Sequence, residues 1–332
     1  MSEDSLVLAF ETGGTKLVAG VAGPDGRLLR TESVRRGEHD QAPQSFRRVV
    51  AAADGLLAQP EFSGRRLRSI GFGFGGTVRR SSNSPHLCLH ENGWEDIDVE
   101  SELKRRFGVP VIVENDCKLA ALAESRFGAG AGARSLFYVT LGTGVGGGYV
   151  RDGRILACGD LGEAEIGHVV VDPEGPECCC GNRGCVEALC SGPGLRRLCL
   201  LVAGLHPDEW RSSSLARAGA EDLVTSERII ASWLEGDSFA TRVVEHSASK
   251  LAMALATTVN LLVPERIVIG GGLGGSSPRL LDLLRRYTAP LVVPYFRDSY
   301  TIVASQLGES VVTQGSAVLA AQHVAGPPDN PG

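Results

Sequence analysis

Four times along this chain a β-type run empties into a cluster of glycines, at Gly13-Gly14 and within residues 71–76, 142–148 and 270–275. A glycine lets its backbone come close to another group because no Cβ stands in the way. The recurrence therefore predicts strand ends that present main-chain N–H groups to something bound. Forty-three glycines against five tyrosines and three tryptophans point the same way for the chain as a whole.

The runs that feed these clusters read as short strands. Residues 6–10 and 17–22 flank the first glycine pair, and Gly23-Pro24-Asp25-Gly26 is turn chemistry leading to a third strand, so the chain opens as a β-meander. Residues 44–57 carry apolar side chains at helical spacing, and residues 67–74 alternate into Gly75-Gly76 as another strand. A strand over 109–113 ends in Glu114-Asn115-Asp116, and a helix over 118–127 follows. Gly-Ala-Gly-Ala-Gly at 128–132 is the best place for a hinge or domain boundary. Beyond it, strands 136–141 and 145–150 flank Gly142-Thr143-Gly144, repeating the strand, glycine turn, strand pattern of the first thirty residues. Helices over 228–233 and 243–262, a strand over 266–269 and a closing helix over 315–323 complete the outline, and the Pro-rich tail from 325 is expected to be disordered.

A length of 332 residues suits two lobes better than one. The net charge of −6 comes from 33 basic and 39 acidic residues that are interspersed, which leaves no footprint for nucleic acid or an anionic membrane. No apolar stretch approaches the roughly 20 residues that span a bilayer, and the acidic start, Met1 to Ser5, lacks the form of a secretory signal. A soluble, cytoplasmic protein with a small-molecule partner is the expectation.

Two glycine turns look like phosphate cradles. Glu11-Thr12-Gly13-Gly14-Thr15-Lys16 and Leu141-Gly142-Thr143-Gly144-Val145-Gly146 each add hydroxyl or ammonium groups that can reach phosphate oxygens. Neither is a Walker loop or a dinucleotide fingerprint, since strands rather than helices follow. Alone, each is equally well a tight hairpin; together they favour a nucleotide. Asp116 at a strand end can take the proton of a hydroxyl that attacks phosphorus, or it can simply cap the next helix. A second polar cluster, Glu165, His168 and Glu187, supplies the several acceptors that vicinal hydroxyls need and gives the catalytic reading weight.

The strongest local signal is His168 followed after ten residues by Cys178-Cys179-Cys180-Gly181-Asn182-Arg183-Gly184-Cys185. One imidazole and three thiolates, His168, Cys178, Cys180 and Cys185, make a closed tetrahedral set of the structural zinc type. Cys179 is the odd member. Four thiols this close without metal would be an oxidation hazard, and the acidic flanks Asp172, Glu174, Glu177 and Glu187 argue against a nucleic-acid finger.

With these residues in place the chain resembles the bacterial ROK group of sugar kinases from residue 6 to 321, and the segment Glu165-Ile166-Gly167-His168 through Cys185-x-Glu187 is highly specific to that group. The resemblance implies an α/β, two-lobed actin-like ATPase (ribonuclease H-like) fold, each lobe a mixed sheet with flanking helices and the active site in the cleft between lobes. The N-terminal lobe would be 1–127 completed by a C-terminal helix 315–324, the second lobe 128–314, and the tail 325–332. It implies that Gly13, Gly14, Thr15 and Lys16 and then Gly142, Thr143 and Gly144 bind phosphates, with Gly271 and Gly272 in the adenosine-side loop. Asp116 would be the general base, and Gly76, Asn115, Glu165, His168 and Glu187 would hold the sugar, His168 bridging zinc and substrate. ATP, catalytic Mg²⁺, structural Zn²⁺ and a homodimer or homotetramer come with the resemblance.

The activity implied is transfer of the γ-phosphoryl of ATP to a hexose, glucose first, with fructose, mannose, allose or an amino or N-acetylamino hexose as alternatives. A sugar-responsive repressor shares the domain but requires a DNA-binding module, for which the few residues before the first strand leave little room. Three departures from the family pattern stand out: Glu11 where Asp is usual, though some fructokinase-like members also carry Glu; Lys118 where Asn usually follows the base by two residues; and Gly75-Gly76-Thr77-Val78 where a Pro-Gly-Pro-Val loop is common.

Overall fold

The computed structural model of the protein describes residues 4–13, 16–37, 40–88, 92–217, 224–273 and 277–325. The chain opens with the meander β1 (Ser5–Thr12), β2 (Lys16–Ala22) and β3 (Leu28–Arg35), then β4 (Arg66–Phe74), a small hairpin β5 (Thr77–Arg79) and β6 (Ser84–Leu87), and β7 (Val111–Asn115). Among the described residues five of these form one sheet in the order β3-β2-β1-β4-β7. β1 runs antiparallel to β2 and parallel to β4, and β4 is parallel to β7.

β1 is buried on both faces, and its period of two divides it between two cores. Leu6, Leu8 and Phe10 point to the side of Phe72, Phe74, Trp94 and the residues Val49, Ala53 and Leu56 of helix Ala42–Leu57. Val7 and Ala9 point to the other side, where they meet Ala317, Ala320 and Ala321 of the C-terminal helix Val311–Ala325. Small side chains let that helix lie close to the sheet, and its hydroxyls and carbonyls bond directly to strands. Ser316 Oγ donates to Phe10 O at 2.8 Å and Ser69 Oγ donates to Ala320 O at 2.7 Å. The edge strand β3 is instead exposed along most of its length and carries Arg30, Glu32 and Arg35, charges that discourage a further strand from pairing there.

A second sheet repeats the plan. It contains β8 (Ser135–Leu141), β9 (Val145–Arg151), β10 (Arg154–Ile155), β11 (Arg266–Gly270) and β12 (Thr301–Ala304), in the order β10-β9-β8-β11-β12. Here β11 is parallel to both β8 and β12, and β10 is antiparallel to β9. Rank for rank this is the topology of the first sheet, so the repeated strand, glycine turn, strand pattern of the sequence corresponds to a repeated architecture. Helices cover the second sheet's unit, the longest being Ser238–Leu262, in which Asp237 caps the N-terminus by accepting from Ala240 N.

The chain divides into two compact units, Met1–Gly132 with Gly148–Glu163 and Glu309–Gly332, and Ala133–Gly147 with Ala164–Gly308. The first break follows the glycine-rich 128–132 segment. That segment is organised by Glu124, a fully buried carboxylate whose Oε2 accepts from Ala129 N at 2.7 Å while its main-chain O accepts from Gly128 N and Gly130 N. Among the described residues no helix is long and apolar enough to cross a membrane.

The ring of Phe72 sits among Phe10, Phe46 and Trp94, with centroids 5.8, 6.3 and 6.0 Å away. Removing it leaves a cavity in the first unit's core, so Phe72→Ala should lose about 3–5 kcal/mol of stability in chemical denaturation followed by tryptophan fluorescence.

Candidate active site

Parallel pairing lines up the strand ends that matter. Thr12 lies opposite Phe74 and Phe74 opposite Asn115, so β1, β4 and β7 finish level with one another. Gly13, Gly75-Gly76 and Asp116 follow directly from those ends, on the carboxyl edge where open α/β sheets bind ligands. Thr12 Oγ1 donates to Gly73 O and Gly75 N donates to Thr12 O, both at 3.0 Å, which ties the first two exits together.

The turn at Asn115-Asp116 shows which of the two residues caps the helix. Asn115, not Asp116, is the N-cap of helix Asp116–Phe127, its Oδ1 accepting from Cys117 N at 2.9 Å and Lys118 N at 3.2 Å. Its Nδ2 donates to Gly76 O at 3.0 Å, which pins the glycine loop. Asp116 Oδ1 accepts from Cys117 N at 2.7 Å, and Oδ2 lies on the side of Gly75, 3.6 Å from where a Cβ on that glycine would stand. The carboxylate thus occupies the first helical turn, where the N-terminal dipole favours negative charge.

Glu11 sits next to this group. Its carboxylate accepts from Thr313 Oγ1 of the C-terminal helix, and its pKa is raised, chiefly by burial and in part by the Asp116 charge, against the opposing effects of Thr313 and Lys16. Lys16 Nζ is engaged with Glu309, 3.2 Å from its main-chain O and 3.6 Å from its carboxylate. Gly13 N donates to Lys16 O at 3.0 Å, closing the hairpin turn; Gly14 and Thr15 lie outside the described residues.

In the second unit, the Gly142-Thr143-Gly144 turn joins β8 to β9, with Gly142 N donating to Gly144 O at 3.0 Å and Thr143 exposed. The Gly271-Gly272 turn leaves β11 beside it, and Leu273 N donates to Leu141 O at 2.9 Å. Both turns sit at the carboxyl end of the parallel pair β8–β11, the counterpart of the first sheet's edge.

Glu165 and His168 belong to one short turn, Ile166–His168 with Glu165 at its start, and Val186 N donates to Val169 O at 3.0 Å, which brings Glu187 onto the adjoining element. Glu187 joins two sequence motifs: Oε2 accepts from Val145 N at 2.9 Å, and Oε1 accepts from Cys179 Sγ at 3.1 Å. A Cβ at Gly144 would stand 2.7 Å from Glu187 Oε2, so a larger residue there would push this carboxylate aside. The Cys179 contact gives a partner to the cysteine that the motif left unassigned, and nothing in the sequence signals it.

The ligand atoms of His168, Cys178, Cys180 and Cys185 all lie within 4.8 Å of one another. Cys180 Sγ and Cys185 Sγ are 3.7 Å apart, and Cys178 Sγ is 3.6 Å from His168 Nδ1. A tetrahedral ion with bonds of about 2.3 Å to sulfur and about 2.0 Å to nitrogen has edges of about 3.8 and 3.5 Å. The four groups therefore fit a tetrahedral metal. Cys178, Cys179 and Glu187 form a second possible group, but it shares Cys178 with the first set, and Glu187 is already bonded to Val145 N.

Duplicated sheets of this topology, with glycine turns at their carboxyl edges and a carboxylate at the end of β7, define the actin-like ATPase fold of sugar kinases. The chain belongs to the ROK family, whose profile matches residues 7–323. It is 31% identical over 325 residues to the glucokinase of Thermotoga maritima, covering 96% of this chain and 98% of that one. Among solved structures it resembles a ROK hexokinase from Thermus thermophilus, with a TM-score of 0.78 and 29% identity over 96% of this chain and 99% of that one. It also resembles a ROK family glucokinase from Streptomyces griseus in complex with glucose and AMPPNP, with a TM-score of 0.77 and 30% identity over 95% of this chain and 99% of that one.

The raised pKa of Glu11 carries a sign. A carboxyl that titrates higher when folded than when unfolded stabilises the fold fully below its unfolded value, and that contribution is lost as pH rises through the folded one. Glu11→Gln removes the loss. Its melting temperature relative to the unmodified chain should rise as pH climbs from the ordinary carboxylate value and level off above the raised one, as followed by scanning calorimetry.

Proposed function

We propose that this protein is an ATP-dependent hexose kinase that makes glucose 6-phosphate and ADP from glucose and ATP, with Asp116 as the general base. The observation that carries the reading is the division of labour at the β7 exit. Asn115 caps the helix and pins the glycine loop, which leaves the Asp116 carboxylate in the first helical turn, on the side of Gly75 and next to Glu11. Family membership and the glucokinase relatives support the choice of reaction and of sugar.

In the proposed step the carboxylate of Asp116 takes the proton of the sugar's 6-hydroxyl as that oxygen bonds to the γ-phosphorus. The bond from the γ-phosphorus to the bridging oxygen breaks, and ADP leaves with those electrons. Gly13, Gly14, Thr15 and Lys16 together with Gly142, Thr143 and Gly144 are the proposed phosphate ligands, and the 271–272 turn the proposed adenosine side. Glu11, which stands where the family usually has Asp, would face the Mg²⁺ bound with the nucleotide, and that ion would supply positive charge to the phosphoryl oxygens. Most of the rate enhancement in such a site comes from positioning and charge stabilisation.

Gly76, Asn115, Asp116, Glu165, His168 and Glu187 are the proposed sugar ligands. Zinc held by His168, Cys178, Cys180 and Cys185 would have a structural role. Because His168 Nδ1 is the ring nitrogen that faces Cys178, Nε2 is left to meet a sugar hydroxyl, and the metal would fix both the tautomer and the direction of the ring.

Two measurements test this. In a coupled ADP-release assay over a panel of hexoses, Asp116→Asn should lower kcat by about 10²–10⁴-fold while the fold and sugar affinity are kept; unchanged turnover sinks the assignment. Stripping zinc with a chelator, checked by elemental analysis, should raise the KM for the hexose and leave the KM for ATP unchanged. An equal rise in both would place the metal's role elsewhere.

A further inference from the structure

Two residues beyond Asp116 stands Lys118, whose side chain is 4% exposed. Its Nζ lies 3.3 Å from Glu163 Oε1 and 3.6 Å from Glu114 Oε1. Arg80 completes the group, its two terminal nitrogens donating to Glu163 Oε2 and Oε1 at 2.8 Å each, and one of them reaching Glu114 Oε2 at 3.5 Å. Two cations and two carboxylates balance, which is the condition under which charges tolerate burial. Burial alone would raise the Glu163 pKa, but the Arg80 hydrogen bond and the charges of Lys118 and Arg80 bring it below the ordinary value, so it is ionised at neutral pH.

The four corners come from different stretches of chain. Glu114 is in β7, one residue before the cap Asn115, and Lys118 is in the first turn of the capped helix. Arg80 opens the short turn Arg80–Ser82, and Glu163 closes a segment bound back onto that turn. Leu156 O and Gly159 O accept from the Arg80 guanidinium at 3.4 and 3.3 Å, and Asp160 Oδ1 accepts from Ser81 N at 2.7 Å. Gly162 is needed for this approach, since a Cβ there, at φ +102°, would stand 2.5 Å from Lys118 Nζ.

Asp116 is therefore bracketed: the residue two before it and the residue two after it are held by one buried ion network. A rotation of the peptide that carries its carboxylate would have to break one of these partly buried pairs. We propose that Lys118, acting with Glu163, Arg80 and Glu114, is a positioning residue that holds Asp116 in the orientation phosphoryl transfer requires. The proposal rests on the kinase reading and adds to it a role for the lysine that stands where the family usually has asparagine. Lys118 touches no substrate in this role; it acts through the turn it anchors.

The test uses the full chain and four variants, Lys118→Met, Lys118→Arg, Glu163→Gln and Lys118→Met with Glu163→Gln, each assayed with glucose and ATP well below its melting temperature. A misplacement of about 1 Å can cost on the order of 100-fold, so Lys118→Met should lower kcat by roughly 10- to 100-fold while the KM for ATP stays unchanged. The double variant should recover part of that loss, because Arg80 and Glu114 then balance and the excess negative charge left by Lys118→Met is gone. Lys118→Arg, which keeps the charge, should recover most of it. Should Lys118→Met fail to fold, Glu163→Gln reads the same network and should show the same split between kcat and the KM for ATP. Unchanged kcat in folded variants overturns the positioning role, as does a fall in melting temperature with no kinetic split. Inactivity of the unmodified chain towards every hexose overturns the kinase reading and this role together, so the two failures are told apart by which protein fails.

Discussion

The level finish of β1, β4 and β7 is the constraint on which the first unit's site depends. Hydrogen-bond register between parallel strands sets Thr12, Phe74 and Asn115 side by side, and a slip of one residue would turn every side chain of a strand to the opposite face. The register is secured by burial on both sides of β1. Its odd and even residues belong to two separate apolar clusters, so neither face can be exchanged for the other without exposing a core. The geometry at the strand ends thus follows from packing well below them.

Hydroxyls and carboxylates refine what the register begins. Asn115 uses both ends of its amide, one on the helix N-terminus and one on the Gly76 loop. Glu187 uses both oxygens, one on the main chain of the β8–β9 turn and one on the thiol of Cys179. In each case one short side chain joins two glycine-bearing or cysteine-bearing motifs that are far apart in sequence. Such residues are sensitive positions, because shortening or lengthening them by a methylene disconnects two pieces at once.

Much of the fold was legible because its signals are local. Short apolar runs ending in glycine marked β1, β4 and β8 nearly to the residue, and the cysteine spacing marked the metal-fitting knuckle. The strand expected over 109–113 runs instead over Val111–Asn115, because its pairing with β4 continues through Glu114 and Asn115. Helices Gly192–Leu205 and Pro278–Thr288 were not anticipated, although each opens on a capping serine with proline in the first turn, a signal that was there to be used. What could not be read were contacts across long separations. Thr313 on Glu11 and Glu163 on Lys118 depend on how distant elements pack, and spacing along the chain carries no trace of them. Which residue of the Asn115-Asp116 pair caps the next helix was also a matter of geometry, and Asn115 does the capping.

The C-terminal helix Val311–Ala325 supplies the alanine face that covers Val7 and Ala9 of the first strand. During synthesis on a ribosome the whole second unit has therefore emerged while the opening sheet still has one bare side. The half that is translated first is the half that finishes last, and until the final helix arrives its apolar strand face is open to unwanted association. A chain built this way has reason to keep its edge strand charged from the beginning, as Arg30, Glu32 and Arg35 do.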